Sequence, residues 1–288
     1  MSPPKMPKPK SKLTRKHLIA SAIILALAFG MWFAWRVPRL EAGTEVDKIG
    51  PVRSARPYFV DWADEFDALY AHVGGSNAAL DLIASRGTFD LNEFSHGDSY
   101  WRASDRSAPH NAYTSTELLS AAVTKAEGKG RAPSVLYGTW TFKDAASVAA
   151  EEQPVAQAAA EPGAVEVRFN SGLYTADWTF DAATGVYLRS QGGRESVTQD
   201  GVRLRANNVA VIVSDIEVVD AVGRREIRTT GTGKAWLLQD GVTREVTWKK
   251  PSVTERLAFY DAEGNELAMN AGNTWIEVVP DESDVTIE

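Results

Sequence analysis

Gly231–Lys250 reads GTGKAWLLQDGVTREVTWKK, and its middle pair, Asp240-Gly241, is a turn signal between two strand-like runs. A two-residue hairpin turn holds both central residues at positive φ, which glycine and aspartate tolerate well. After the turn, Val242, Val246 and Trp248 share one face, because successive side chains of a strand point to opposite sides. The pattern continues outward: Val209, Val211 and Val213 before it, Ile276 and Val278 after it, and Val165, Val167 and Phe169 further upstream. Turn signals at Ala183–Gly185, Asp200-Gly201 and Glu263–Asn265 separate these runs. Short strands punctuated in this way predict an antiparallel sandwich or partly closed barrel over residues 164–280, followed by a C-terminal tail over 281–288.

Upstream the pattern changes. Residues 144–163, DAASVAAEEQPVAQAAAEPG, are poor in large apolar side chains and read as a linker or long surface loop. Residues 49–143 alternate helix and strand signals. Pro57 opens an amphipathic helix that carries Phe59, Trp62, Phe66 and Leu69 at spacings of three and four. Leu69–Val73 reads as a short strand, and Gly74, Gly75 and Ser76 turn it into a second helix through Leu80 and Ile83, capped by Ser76 and stopped at Gly87. A third helix is expected to start at Thr114, whose spacing to Glu117 is that of a capping box, and to end at Gly128 or Gly130. The fold class is therefore α+β, an N-terminal mixed α/β domain followed by a mostly antiparallel β domain.

The first 48 residues decide location. Leu18–Val37 is almost wholly apolar and follows Lys5, Lys8, Lys10, Lys12, Arg15 and Lys16. A helix rises about 1.5 Å per residue and the bilayer hydrocarbon is about 30 Å thick, so this run is long enough to cross once. The basic tail, residues 1–17, is expected to stay in the cytoplasm, the single transmembrane helix to cover 18–37, and a tether over 38–48 to lead to an extracytoplasmic remainder at the cell membrane. Arg36 lies where a long side chain snorkels, and Trp32 and Trp35 sit at the interfacial level. The competing reading is a cleaved signal peptide, with Ala28, Phe29 and Gly30 as a small-x-small site. The chain has no cysteine, which excludes thioether lipidation and disulfides.

Residues 1–37 hold seven of the 31 basic groups and none of the 38 acidic ones, so the remainder carries 24 against 38, a net charge of −14. Such a surface repels phosphate backbones, which excludes nucleic acid as a partner. No repeat, coiled-coil or collagen signature is present.

Three polar clusters in the first domain are candidates for chemistry. Arg53-Ser54-Ala55-Arg56 places two guanidinium forks just ahead of a helix start, suited to a carboxylate or phosphate, or alternatively to acidic neighbours. His72-Val73-Gly74-Gly75-Ser76 runs a strand into a glycine turn and a helix, where backbone amides can meet a ligand. It lacks the Walker and dinucleotide spacings, and a plain structural turn is the other reading. Asp105-Arg106-Ser107-Ala108-Pro109-His110-Asn111 offers His110 as a general acid or base, oriented by Asp105 or Asn111, or else a proline-fixed loop. His72, His96 and His110 with Asp98 or Asp105 fit no metal-site spacing, so neither metal nor other cofactor is expected. Ser76 and Ser104 lack a nucleophile-elbow context. Trp178, Tyr187, Trp236, Trp248 and Trp275 are mostly core candidates, with a sugar-binding face as the alternative.

IGPVRSARPYFVDWADEFDALYAHVGGS (Ile49–Ser76), SDRSAPHNAYTS (Ser104–Ser115) and the later NNVAVIV, GTGKAWLLQDG, TWKK and GNTWIEVVP runs together resemble the YerB-like family of bacterial envelope proteins. The resemblance extends from about Ile49 to Pro280. It implies a membrane-tethered extracytoplasmic protein with an N-terminal α/β and a C-terminal β domain, similar to a lipoprotein, with no established activity and at most an association with cell-wall synthesis. Two departures stand out. The family's lipobox cysteine is absent, so the uncleaved helix is expected to take its place. The family's extra segment before the RSAR run, with Asp-Asn and Glu-Gly-Gly-Ile-Thr-Arg elements, is replaced by Pro38–Lys48 alone; a lost site or a truncated start is expected.

The function expected from these residues is that of a binding accessory of the cell envelope. Arg53, Arg56, His72, Gly74, Gly75, Ser76, Arg106, His110 and Asn111 are expected to line one cleft for an anionic group of a cell-wall precursor, a glycan or a partner. The alternatives are a hydrolase or transferase using His110 with Arg53 and Arg56, and a structural adaptor for membrane-bound synthases. Pro38–Lys48 extends at most about 3.3–3.6 Å per residue, roughly 40 Å, which keeps any ligand near the outer face of the membrane.

Overall fold

A computed structural model describes residues 45–130, 138–143, 163–169 and 172–288. The basic tail, the apolar run Leu18–Val37, residues 38–44 of the tether and residues 144–162 of the linker lie outside the described residues. Among the described residues no helix is long and apolar enough to cross a membrane.

Helix α1 spans Pro57–Asp64, with Pro57 in the first turn where its missing N–H costs nothing. It ends earlier than the aromatic spacing suggests: Glu65 caps it and Asp67, at φ +46°, turns the chain away. Val60 is its buried residue, while Phe59 is 46% exposed and packs with its ring tilted against Tyr58 and Trp62. Strand β1 (Tyr70–His72) leads into α2 (Asn77–Arg86) and pairs in parallel with β2 (Asp90–Asn92). The Ser76 side chain accepts from Ala79 N at 3.3 Å, and Gly87 ends α2 at φ +70°, as the sequence predicts. Strands β3 (Trp101–Arg102) and β4 (Ala112–Tyr113) form a short antiparallel pair ahead of α3 (Thr116–Glu127). The cap of α3 is Ser115, which accepts from Leu118 N at 3.2 Å. Thr114, the expected cap, instead donates to Ser99 O at 2.8 Å, and the helix starts one residue later.

The second half contributes β5 (Ala164–Val167), β6 (Ala176–Asp181), β7 (Val186–Gln191), β8 (Arg194–Glu195), β9 (Arg205–Ala206), β10 (Asn208–Val213), β11 (Ile216–Val218), β12 (Arg225–Ile227), β13 (Gly231–Gln239), β14 (Val242–Lys250), β15 (Ala258–Tyr260), β16 (Thr274–Val279) and β17 (Val285–Ile287). One sheet runs β15-β14-β13-β10-β16, the other β17-β5-β6-β7-β8 with β9 also on β7. Pairing is antiparallel except for β10 with β16. Asp240-Gly241 closes the β13–β14 hairpin, with φ of +54° and +76° and Gln239 opposite Val242.

The first sheet is buried on both faces. Val209, Val211, Trp236 and Leu238 pack against Val165, Val167, Trp178 and Tyr187 of the other sheet. Ala210, Ile212, Leu237 and Trp248 form a second core with Leu257, Phe259 and Met269. This explains why β10, NVAVIV, is apolar at nearly every position instead of alternating. The β11–β12 hairpin stands apart, with Val218, Val219 and Val222 more than half exposed.

Asp47–Glu288 forms one compact unit, and charged groups join its two halves. Glu65, at the end of α1, is 3% exposed and meets Lys250 Nζ at 3.3 Å, Arg256 Nη1 at 3.1 Å and Leu257 N at 3.0 Å. Lys250, with no exposed surface, also donates to the carbonyls of Ser252, Val253 and Glu255. Burial pushes its ammonium below the ordinary lysine range, against the pull of Glu65. Nearby, Asp61 accepts from Thr229 of the β half and from Arg86 of α2.

Candidate functional site

The extended segment Ile49–Arg56 brings the three polar clusters together. Ile49 exchanges backbone bonds with Thr114 at 2.7 and 3.0 Å, and Val52 N donates to Ala112 O at 2.7 Å, which anchors it beside the His110 loop. Further along, Val73 N donates to Arg53 O, Ala55 N to Gly74 O and Ser76 N to Ala55 O, at 2.9–3.2 Å. The segment therefore lies between the His110 loop and the glycine turn.

The two arginines serve different places. Arg53 Nη1 lies 2.5 Å from His110 Nδ1 on the exposed surface. A guanidinium only donates, so His110 Nδ1 is the acceptor and its proton resides on Nε2. Neither expected orienting group serves His110. Asp105 pairs with Lys48 at 3.1 Å, which holds its carboxyl below the usual carboxylate range, and Asn111 bonds Ala103 O and Arg102. Arg106 is exposed.

His72 is a correction to the expected cleft. It is fully buried, with Nδ1 2.8 Å from Gly74 O and Nε2 2.6 Å from Asp90 Oδ1. Because a carbonyl only accepts, Nδ1 carries a proton. Tyr70 stacks on the ring at 5.0 Å between centroids, and burial pushes its phenol up to about 12. The glycine turn is likewise occupied: Gly74, at φ +56°, donates its N–H to Asn92 Oδ1 at 3.1 Å, and the Ser76 amide is bonded to Ala55. Those amides support the turn and are not free for a ligand.

Arg56 and Ser76 do line a cleft, of ≈ 520 Å³, that neither Arg53 nor His110 enters. Its floor is the start of α1 at Pro57 and of α2 at Asn77 and Ala78; its far wall is the β11–β12 hairpin. The first-turn amides of α2 have no intrahelical acceptor, as at any helix start, and the helix dipole favours an anion there. Four arginines face the space. Arg86 is neutralised by Asp61 and Asp64, and Arg224 by Asp220 at 2.5 Å. Among the described residues the Arg56 guanidinium makes one hydrogen bond, to the carbonyl of Ala55 at 2.8 Å, and the Arg225 side chain has no partner.

Family models match both halves of the chain: the N-terminal domain of the protein of unknown function DUF3048 over residues 39–129, and its C-terminal domain over 165–276. The protein named "Putative lipoprotein YerB" of Bacillus subtilis is 29% identical over 278 residues, covering 95% of this chain and 78% of that one. The chain belongs to the YerB-like family. The crystal structure of Bacillus subtilis YerB superposes with a TM-score of 0.71 at 28% identity, over 85% of this chain and 79% of the other, so the α+β fold is that of YerB. Neither the YerB-like domain descriptions nor the relative's name specifies a ligand.

Within this YerB-like fold the remaining candidates are placed as follows. No group of three or more metal-ligating side chains occurs among the described residues: His96 contacts Ser95 Oγ, and Asp98 pairs with Lys125. Trp178, Tyr187, Trp236 and Trp248 are buried, which removes the sugar-binding face and leaves them as core. Sequence reading missed Asp90, Arg86, Arg224 and Arg225. The Gly223-Arg224-Arg225 run carries a local signal, a glycine turn beside two guanidiniums, but its position opposite Arg56 depends on long-range sheet topology.

Proposed function

We propose that this chain is a membrane-tethered, extracytoplasmic accessory protein that binds an anionic group in the cleft between the starts of α1 and α2 and the β11–β12 hairpin. One observation carries the reading: Arg56 and Arg225, which make no ion pair among the described residues, line the same cleft beside the first turn of α2. Two-point guanidinium contact suits a phosphate or carboxylate. The apolar run Leu18–Val37 and the lipoprotein name of the Bacillus relative both support attachment to the membrane. Attachment near the outer face favours a lipid-linked cell-wall precursor or a membrane-bound synthase as the source of the anion.

Calorimetric titration of the nanodisc-embedded protein with phenyl phosphate tests this. Saturable binding that Arg56→Gln weakens at least tenfold is expected; binding indifferent to Arg56→Gln excludes the reading. The membrane half is tested separately by alkaline extraction, which should leave the full chain in the pellet and release a chain lacking residues 1–37.

A hydrolase or transferase is favoured by the Arg53–His110 contact alone, since it places the proton of an exposed imidazole on Nε2, where it can be donated to a substrate oxygen. Turnover of cell-wall fragments or phosphoesters that His110→Ala abolishes would establish it.

A further inference from the structure

On the other side of the β11–β12 hairpin lies a second cleft, of ≈ 620 Å³, between the hairpin and the sheet of β5–β7. Arg168, Arg189 and Arg225 face it against a single carboxylate, Asp284. In a chain whose exported part carries −14, three guanidiniums around one acid make a local excess of positive charge. Apart from Tyr174 and Gln191, the rest of the wall is apolar, chiefly Phe169, Ile216 and Val278.

Arg189 is the informative residue. It is 9% exposed, yet its fork is only partly used: Nη1 donates to Gln191 Oε1 and Ser196 Oγ, both at 3.0 Å. Its Nε is buried without a hydrogen-bond acceptor, and the nearest carboxylate oxygen, of Glu277, is 3.7 Å away. Nη2 makes no hydrogen bond among the described residues. The plane rests on Trp275, with the guanidinium carbon 5.0 Å from the ring centroid, which fixes its direction. Burial raises the pKa of Glu277 against the pull of Trp178 and Arg189, and at 3.7 Å its carboxyl lies beyond hydrogen-bond reach of Arg189 Nε. Burying a guanidinium with unmet donors is costly unless something satisfies them.

We propose that this second cleft binds an oxyanion, phosphate or carboxylate, attached to an apolar group. Arg189, Arg168 and Arg225 hold the anion, and the Phe169–Ile216–Val278 wall takes the apolar part. The proposal goes beyond the anion cleft at α1 and α2: the two spaces share only the hairpin and Arg225. One class of amphiphilic anion then has two subsites on either side of one hairpin.

The test is calorimetry of the full chain in zwitterionic nanodiscs, with phenyl phosphate, benzoate and inorganic phosphate as probes and empty nanodiscs as blank. If both readings hold, phenyl phosphate or benzoate titrates two sites. Arg168→Gln removes one, Arg56→Gln removes the other, and Arg225→Gln weakens both, each by at least tenfold. A single site lost with Arg168→Gln and untouched by Arg56→Gln supports the second cleft alone. A single site lost with Arg56→Gln alone, or no site, overturns it. Inorganic phosphate binding the second cleft as tightly as phenyl phosphate would also overturn it, because the apolar wall would then contribute nothing. Whether phenyl phosphate or benzoate binds tighter identifies the anion. Arg168 and Arg225 are exposed, so both variants are expected to fold.

Discussion

Gly74 shows how a residue chosen for one role serves another. Its φ of +56° requires glycine, and a Cβ there would stand 2.7 Å from Cε2 of Phe94. Phe94 is 76% exposed and can swing away, so the lasting cost of Gly74→Ala is the backbone strain, of about 1–2 kcal/mol. Urea unfolding should show that loss in Gly74→Ala and only a small recovery when Phe94→Ala is added. The sequence shows that a turn belongs here; it does not show that His72, Asn92 and Ala55 already occupy the turn's polar groups, because Asn92 and Ala55 reach it only through tertiary pairing and the direction of the His72 ring is set by burial. Glu277 gives a residue-scale pH prediction. Its folded pKa is raised by burial, so between the ordinary glutamate range and that raised value the folded state holds a proton the unfolded state has released. Stability from this group is present below the ordinary range and is lost as pH rises through the raised value. Glu277→Gln should flatten that fall in denaturation midpoints measured from pH 4 to 8, while the likewise raised Asp177 leaves a residual slope.

At the scale of elements, caps and turns were readable and partners were not. Ser76 and Gly87 delimit α2, and Asp240-Gly241 closes the β13–β14 hairpin, since each is set by a residue's own conformational preferences. The start of α3 was misplaced by one residue because Thr114 and Ser115 are both good caps, and only the distant Ser99 carbonyl decides between them. Ser115→Ala should therefore cost about 1 kcal/mol, as loss of an N-cap does, with the helix content read by circular dichroism. Thr114→Ser retains a hydroxyl able to reach Ser99 and should cost less. The same limit governed the anion cleft: Arg56 and Ser76 lie in the first half of the chain and Arg225 on β12 of the second, and no local pattern places the hairpin opposite them.

In the whole molecule, the decisive contact joins the two halves through Glu65, Lys250 and Arg256. Glu65 and Lys250 are buried and Arg256 is partly buried, so the group holds only while its partners are present. The Lys250 ammonium has four acceptors, Glu65 and three carbonyls, and the buried Glu65 carboxylate would lose a cation if it were removed. Breaking one side of a buried ion pair costs about 3–5 kcal/mol, whereas removing both charges leaves much less uncompensated. Lys250→Met is therefore expected to lower urea stability by about 3–5 kcal/mol, and Glu65→Gln in the same chain to recover part of that loss even though it removes a second native group. Simple additivity of the two losses would mean that Glu65 and Lys250 do not act as a unit. A coupled result would mean that α1, whose start floors the anion cleft, is held against the β half by this charge cluster. In that case Lys250→Met should weaken phenyl phosphate binding at the Arg56 cleft without touching any residue that lines it.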